Sequence, residues 1–137
     1  MKKFVFLTIL ISALLLSGCT STDAGQNIES GYTNISVETL EEMMNERRDS
    51  FVLVNTHIPF EGNLPDTDLS IPYNEILENL EQLPEDKDAE IVLYCRSDNM
   101  SNVAAADLAD AGYTNVKNLV GGFRAWQAKG LPMEMTP

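Results

Sequence analysis

Short apolar runs alternate with stretches of helical spacing along most of the chain. Residues 51–54 (F-V-L-V) and 90–94 (E-I-V-L-Y) are nearly continuous apolar runs, as expected of parallel strands buried on both faces. Residues 115–119 predict a third strand, and residues 69–73 predict a short one that Pro72 limits. Because strands alternate with helices, the pattern predicts an α/β domain built on a parallel sheet.

Helical segments are predicted around these strands. Ser36 is a candidate N-cap for the first, with Glu38 in the first turn, where the helix dipole favours an acidic side chain. The other three cover residues 75–83, 101–111 and 123–129, and a glycine follows each of the last two. The stretch between the first two strands, residues 55–67, is rich in proline and glycine and is predicted to be a loop.

The N-terminus has the pattern of an export signal. Lys2 and Lys3 precede an apolar run over residues 4–16, which is shorter than the roughly 20 residues that span a membrane. The run ends in L-S-G-C at residues 16–19, which resembles the lipobox of bacterial lipoproteins. The resemblance implies that residues 1–18 are removed and that Cys19 carries a lipid. An ordinary secretory signal with an incidental cysteine is the alternative.

A lipidated Cys19 has consequences for the rest of the chain. Residues 19–34 are polar and predict a flexible tether, so the folded domain is expected at residues 35–137. The domain would be anchored in the cell membrane through its lipid, on the side facing away from the cytoplasm. Cys95 would then be the one remaining thiol, and an unpaired cysteine in an exported protein is a candidate reactive group.

The charge of the chain excludes two classes of partner. The formal net charge is −12 at pH 7. Nucleic acid binding needs clustered lysine and arginine, so the composition argues against it. Electrostatic attachment to anionic lipid is disfavoured for the same reason. The oligomeric state is left open, and a monomer is compatible with a single domain.

Cys95 lies where a buried strand gives way to a helix. The strand ends at Tyr94, and residues 95–100 are predicted to turn into a helix that begins near Ser101. The carboxyl ends of parallel strands are where open α/β sheets bind ligands. We expect backbone amides of this loop and the positive end of the helix dipole to face the sulfur and to favour its thiolate form.

The sequence from Cys95 onward resembles the rhodanese-like (sulfurtransferase) family. The matching elements are C-R-S-x-N-x-S at residues 95–101, A-A-x-x-L at 104–108, G-Y-T-N-V-x-N-L-x-G-G-F-x-A-W at 112–126, and G-L-P at 130–132. Earlier in the chain, I-P-Y at residues 71–73 matches the family strand before its second helix. The resemblance covers nearly all of the domain.

The resemblance implies both a fold and a reaction. The fold is a five-stranded parallel sheet with helices on both faces. In the reaction, the Cys95 thiolate takes sulfane sulfur from a donor such as thiosulfate or polysulfide, forms a persulfide, and passes the outer sulfur to a thiol acceptor. No metal and no organic cofactor is implied. The substrate would lie against the loop residues Arg96, Ser97, Asp98, Asn99, Met100 and Ser101.

Three departures from the family pattern bear on activity. Asp98 stands where glycine is usual, and its carboxylate near a thiolate would repel anionic donors. Met100 stands where Arg, Ser or Thr is common. Asn55 and His57 replace an acidic and basic pair, so the ion pair that supports the loop is expected to be absent or replaced by neutral hydrogen bonds. His57 is interpreted as a structural substitute for the arginine, with proton donation or substrate contact as the alternative.

Three functions are compatible with these residues. The first is an active sulfurtransferase or persulfide carrier. The second is a catalytically weak or inactive rhodanese-like module that binds a partner at the membrane surface. The third, a phosphatase or arsenate reductase of related fold, is disfavoured because oxyanion chemistry uses a longer loop with a bound arginine, whereas this loop has Met100.

Overall fold

Five parallel strands form the sheet of this domain in a computed structural model that describes residues 31–136. Along the chain the strands are β1 (Thr33–Ile35), β2 (Val52–Asn55), β3 (Leu69–Ser70), β4 (Ile91–Tyr94) and β5 (Val116–Leu119). Their order across the sheet is β1-β5-β4-β2-β3, and every pairing is parallel. The central strand is therefore β4, which leads directly to Cys95.

Helical segments connect the strands. They are α1 (Val37–Arg47), α2 (Asn99–Asp110) and α3 (Gly122–Ala128), together with 3₁₀ segments at Arg48–Ser50 and Tyr73–Gln82. The predicted N-cap is confirmed, since the Ser36 hydroxyl accepts a hydrogen bond from the Thr39 amide at 3.3 Å. Within residues 31–136, no helix is both long enough and apolar enough to span a bilayer.

Two hydrophobic cores lie on opposite faces of the sheet. Along β4, Val92 and Tyr94 belong to one core, whereas Ile91 and Leu93 belong to the other. This alternation is the two-residue period of a strand, and it explains why the run is apolar throughout. Helices α1 and α3 cover the first face, and α2 with the Tyr73–Gln82 segment covers the second. The expected sheet with helices on both faces is thus confirmed.

Three local features differ from the sequence expectations. Strand β1 was not predicted, and it includes Thr33 and Asn34, which were assigned to the tether; pairing with β5 orders this polar segment. The predicted helix at 75–83 is 3₁₀, with a kink at Asn79. Helix α2 begins at Asn99, two residues earlier than expected, because the Asp98 carbonyl already accepts the Asn102 amide at 2.9 Å.

The signal sequence, Cys19 and most of the tether lie outside the described residues, so these assignments stay predictions.

Candidate active site

Cys95 follows the last residue of the central strand and is the free cysteine of residues 31–136. Its neighbour Tyr94 pairs with Asn55 of β2. Beyond that pair, both the amide and the hydroxyl of Thr56 donate to the Tyr94 carbonyl, at 2.8 and 3.0 Å. The segment after β2 therefore runs beside the segment after β4, as the sequence analysis expects of a site at the carboxyl edge of the sheet.

The Cys95 sulfur accepts a hydrogen bond from the Ser101 hydroxyl at 3.3 Å. Ser101 lies in the first turn of α2 and is fully buried, so its hydroxyl is held in place. The same hydroxyl is 3.2 Å from the Asp98 carbonyl, which is its alternative acceptor. A hydroxyl donor to sulfur stabilises the negative charge of a thiolate, and hydrogen bonds to charged groups are the stronger ones.

The surroundings of the sulfur differ from expectation in two respects. Cys95 is only 2% exposed, whereas reactive cysteines are usually partly exposed. In the described part of the chain, no backbone amide makes a hydrogen bond to the sulfur, although inward-facing amides were predicted. The single polar contact comes instead from a side chain, because the early start of α2 brings Ser101 onto the sulfur.

The backbone of the Cys95 loop is fastened by the start of α3. The Phe123 amide donates to the Cys95 carbonyl at 2.9 Å, and the Arg124 amide donates to the Arg96 carbonyl at 3.1 Å. Gly122 makes this close approach possible. It has a φ of +54°, and a Cβ atom there would lie 2.2 Å from the Cys95 carbonyl oxygen. Gly122 was included only as part of the family motif at residues 112–126, and its contact with the site was not predicted.

The predicted substrate-binding residues divide into two groups. Arg96, Asp98 and Ser101 have partners within the site. The Arg96 guanidinium, 45% exposed, lies 3.4 Å from a carboxylate oxygen of Glu61. Within residues 31–136, no hydrogen bond involves the side chain of Ser97, Asn99 or Met100, which form the second group.

Two buried residues beneath the site hold the loop after β2. Asn55 donates through Nδ2 to the Gly62 carbonyl at 3.0 Å and to Asn63 Oδ1 at 2.9 Å, and its Oδ1 accepts the His57 amide at 2.9 Å. Tyr94 Oη accepts the Leu64 amide at 3.0 Å. Burial raises the pKa of Tyr94 to about 12, so the phenol stays neutral and can act as donor and acceptor.

The Rhodanese-like domain family matches residues 36–129, well over half of the chain. The chain belongs to the rhodanese-like domain family. A protein of Allochromatium vinosum named "Sulfurtransferase" is 37% identical over 102 residues, which cover 72% of this chain and 92% of that protein. Thiosulfate sulfurtransferase GlpE of Actinobacillus succinogenes is 45% identical over 49 residues, covering 36% of this chain and 44% of the relative.

A solved structure agrees with this assignment. The crystal structure of a rhodanese-related protein from Thermoplasma volcanium has a TM-score of 0.63 at 23% identity, covering 75% of this chain and 98% of that one. At this identity the likeness shows the fold alone. Homology of the rhodanese-like domain to proteins named sulfurtransferases supports sulfur transfer as its general activity.

The departures from the rhodanese-like pattern have a structural basis. The Asp98 carboxylate accepts a hydrogen bond from the Gly121 amide at 3.0 Å, which binds this side chain to the β5–α3 turn. The φ of Asp98 is −157°, so no left-handed conformation is required there. The neutral hydrogen bonds of Asn55 occur as predicted in place of the family ion pair.

His57 lies in the same rhodanese-like site. Its Nε2 is 3.1 Å from Glu61 Oε2, and its ring packs edge-on against Phe123 with centroids 5.4 Å apart. Through Phe123 it contacts the helix that holds the Cys95 carbonyl. Glu61 was not singled out from sequence, because it lies in the irregular loop after β2 and no local pattern distinguishes it from other exposed acids. Within residues 31–136, no cluster of His, Cys, Asp and Glu side chains could hold a metal ion.

Proposed function

We propose that this protein moves sulfane sulfur from a donor, such as thiosulfate or polysulfide, to a thiol acceptor through a persulfide on Cys95. One observation carries the proposal. In a rhodanese-like domain, the sulfur of Cys95 lies between the end of the central strand and the start of α2, with the Ser101 hydroxyl donating to it. No other cysteine lies within residues 31–136.

The reaction proceeds in two displacements. The Cys95 thiolate attacks the outer sulfur of thiosulfate, a new S–S bond forms, and the old S–S bond breaks as sulfite leaves with its electron pair. Cys95 then carries a persulfide. In the second step an acceptor thiolate attacks the outer sulfur, and the Cys95 thiolate is the leaving group. The two steps are thiol exchange applied to sulfane sulfur, with a covalent intermediate on the enzyme.

Ser101 stabilises the thiolate that begins and ends this cycle. Its hydroxyl exchanges between the Cys95 sulfur and the Asp98 carbonyl, which lie 3.3 and 3.2 Å away. When Cys95 is ionised the hydroxyl donates to sulfur, and when the sulfur carries a persulfide the carbonyl is available as acceptor. The α2 helix of twelve residues begins beside this pair, so its positive dipole end adds to the stabilisation.

The loop backbone supports the reaction by keeping the sulfur fixed relative to α2. The amides of Phe123 and Arg124 hold the carbonyls of Cys95 and Arg96, and Gly122 allows that contact. Since Cys95 is 2% exposed, we infer that the incoming donor reaches the sulfur through local opening of the exposed side of the loop. We place that opening at Arg96, the exposed residue next to the cysteine.

The lipid anchor forms the second part of the proposal. The N-terminal sequence supports lipidation of Cys19 and a domain held at the membrane on the side facing away from the cytoplasm. Metabolic labelling with radioactive palmitate tests it directly. We expect label in the wild-type chain and none in Cys19→Ala, and an unlabelled wild-type chain in the membrane fraction would contradict it.

Intact mass spectrometry tests the sulfur transfer. The full chain, purified in a neutral detergent, is incubated with thiosulfate or with polysulfide and its mass is recorded. We expect a gain of one sulfur atom that is absent in Cys95→Ser and that disappears on addition of a thiol. Cys19→Ala serves as the matched control and keeps the gain. An unchanged wild-type mass with every sulfane donor would contradict the proposal.

A non-catalytic binding module is the second candidate, and the burial of Cys95 favours it. The two functions predict different reactivity. An enzyme must expose its sulfur during the cycle, so iodoacetamide should modify Cys95 in the folded chain at a measurable rate that Ser101→Ala lowers. A module with a purely structural cysteine would react only at the rate of global unfolding.

A further inference from the structure

One carboxylate, that of Glu61, joins two basic side chains at the Cys95 loop, His57 and Arg96. Glu61 Oε1 lies 3.4 Å from the Arg96 guanidinium, and Glu61 Oε2 lies 3.1 Å from His57 Nε2. The His57 side chain is 7% exposed, whereas those of Glu61 and Arg96 are 37% and 45% exposed. These three residues, the Glu61 bridge, thus connect the loop after β2 with the exposed side of the catalytic loop.

The Glu61 bridge changes the charge that a donor meets. Arg96 is the only cation of residues 95–101, and it is the charge expected to attract an anionic donor. With Glu61 as its partner, Arg96 is neutralised by a fixed negative charge. Arg124 is the other cation near the loop, and its side chain is exposed. The chain as a whole has a net charge of −12, so its long-range field also repels anions.

We propose that Glu61 is a specificity-determining residue that selects against the dianion thiosulfate and favours organic persulfides with at most one negative charge. The inference rests on the proposed function of Cys95. In the favoured reaction the Cys95 thiolate attacks the outer sulfur of a persulfide R–S–SH. The S–S bond of the donor breaks, a thiolate R–S⁻ leaves with the electron pair, and Cys95 carries the persulfide and its proton.

The charge of the donor decides the outcome. Repulsion between Glu61 and a donor scales with the donor charge, so a dianion is penalised twice as much as a monoanion. The bridge is partly exposed, so water and salt screen it and the discrimination is modest. We therefore expect Glu61→Gln to raise the rate of sulfur uptake from thiosulfate about fivefold, and that from a monoanionic persulfide only about twofold, since half the energy corresponds to the square root of the factor.

The experiment measures the second-order rate constant for sulfur loading of Cys95 in the full chain, by intact mass after quenching. The two donors are thiosulfate and the persulfide of 2-mercaptoethanol. Glu61→Asp keeps the charge and should retain the wild-type preference. Glu85→Gln is the matched control. It removes the same charge from an exposed position that precedes β4, whereas Cys95 follows β4 at the other end of the strand. The substitution should therefore leave the donor preference unchanged.

A second substitution tests whether the effect passes through Arg96. In the Glu61→Gln background, Arg96→Gln should cancel the gain for thiosulfate, whereas in the wild-type background Arg96→Gln should have a smaller effect. Equal gains for both donors in Glu61→Gln, no gain at all, or the same gain in Glu85→Gln would overturn the inference. Circular dichroism verifies that each variant is folded.

The result separates this inference from the function on which it rests. If the wild-type chain takes sulfur from the persulfide and Glu61→Gln leaves the donor preference unchanged, the role of Glu61 is wrong and sulfur transfer stands. If neither the wild-type chain nor Glu61→Gln takes sulfur from either donor, sulfur transfer fails and the role of Glu61 fails with it.

Discussion

Replacing Gly122 by alanine tests how the active-site loop is held. The glycine has a φ of +54°, and an added Cβ would lie 2.2 Å from the Cys95 carbonyl oxygen and 2.8 Å from the Arg96 carbonyl carbon. Both neighbours are backbone atoms, so no side-chain rotation relieves the contact. Either the loop or the start of α3 must move, and the hydrogen bond from the Phe123 amide to the Cys95 carbonyl is lost.

The expected cost of Gly122→Ala has two parts. A left-handed conformation costs an alanine roughly 1–2 kcal/mol. Loss of a buried backbone hydrogen bond whose groups stay unsatisfied costs about 1–3 kcal/mol more. We therefore expect the free energy of unfolding to fall by about 2–5 kcal/mol. Because the loop moves, the rate of sulfur loading at Cys95 should fall as well.

Gly130→Ala is the matched control for this substitution. Gly130 also has a positive φ, +77°, but an added Cβ there meets no atom within 4 Å. It should show only the conformational cost, with unchanged sulfur loading. Urea denaturation gives both free energies, and intact mass gives the loading rates. Equal destabilisation by the two substitutions, with wild-type loading in both, would refute the close contact between α3 and the loop.

Two further substitutions test side chains of the site. Ser101→Ala removes the hydroxyl that donates to the Cys95 sulfur, and it should slow sulfur loading by roughly tenfold or more, the value of one hydrogen bond to a charged group. Ser101→Thr keeps a hydroxyl and should restore much of the rate. Loading at the wild-type rate in Ser101→Ala would contradict this role. Tyr94→Phe tests the pKa that burial raises from 10.0 to about 12. Since the folded value lies above the unfolded one, the neutral phenol contributes stability that is complete below pH 10 and is lost as the pH rises towards 12, up to roughly 3 kcal/mol. Urea titrations across this range should show the loss in the wild type and not in Tyr94→Phe, and a parallel loss in both would assign it to other groups.

Local pattern was sufficient for the parts of the fold that are continuous in sequence. The apolar runs that became β2 and β4 are buried on both faces, and such runs have few alternatives to a parallel strand. The position of Cys95 follows from the end of β4. Strand β1 was missed because Thr33 and Asn34 are polar, and only their pairing with β5, more than eighty residues away, makes them a strand.

The contacts of the site were predicted less completely, since they join residues far apart in the chain. The position of Asp98 was identified as unusual, but its partner, the Gly121 amide, lies 23 residues further on. Similarly, Arg96 was identified as the loop cation, whereas its partner Glu61 precedes it by 35 residues. Local spacing carries no information on such pairs, so the pairing of Arg96 with Glu61 could be identified only from the structure.

The fastening of the loop explains how this domain departs from the family pattern without losing the fold. The carbonyls of Cys95 and Arg96 are held by backbone amides of α3, and Gly122 allows this close approach. These two contacts join backbone groups, so they require no particular side chain in the loop. The loop accommodates Asp98 in place of glycine because the Asp98 carboxylate accepts a hydrogen bond from the Gly121 amide. It accommodates Met100 in place of a polar residue because none of these hydrogen bonds of the loop backbone involves the Met100 side chain. Substitution of Gly122 is therefore expected to displace Cys95 itself, whereas substitution of Met100 is expected to leave these two backbone contacts intact.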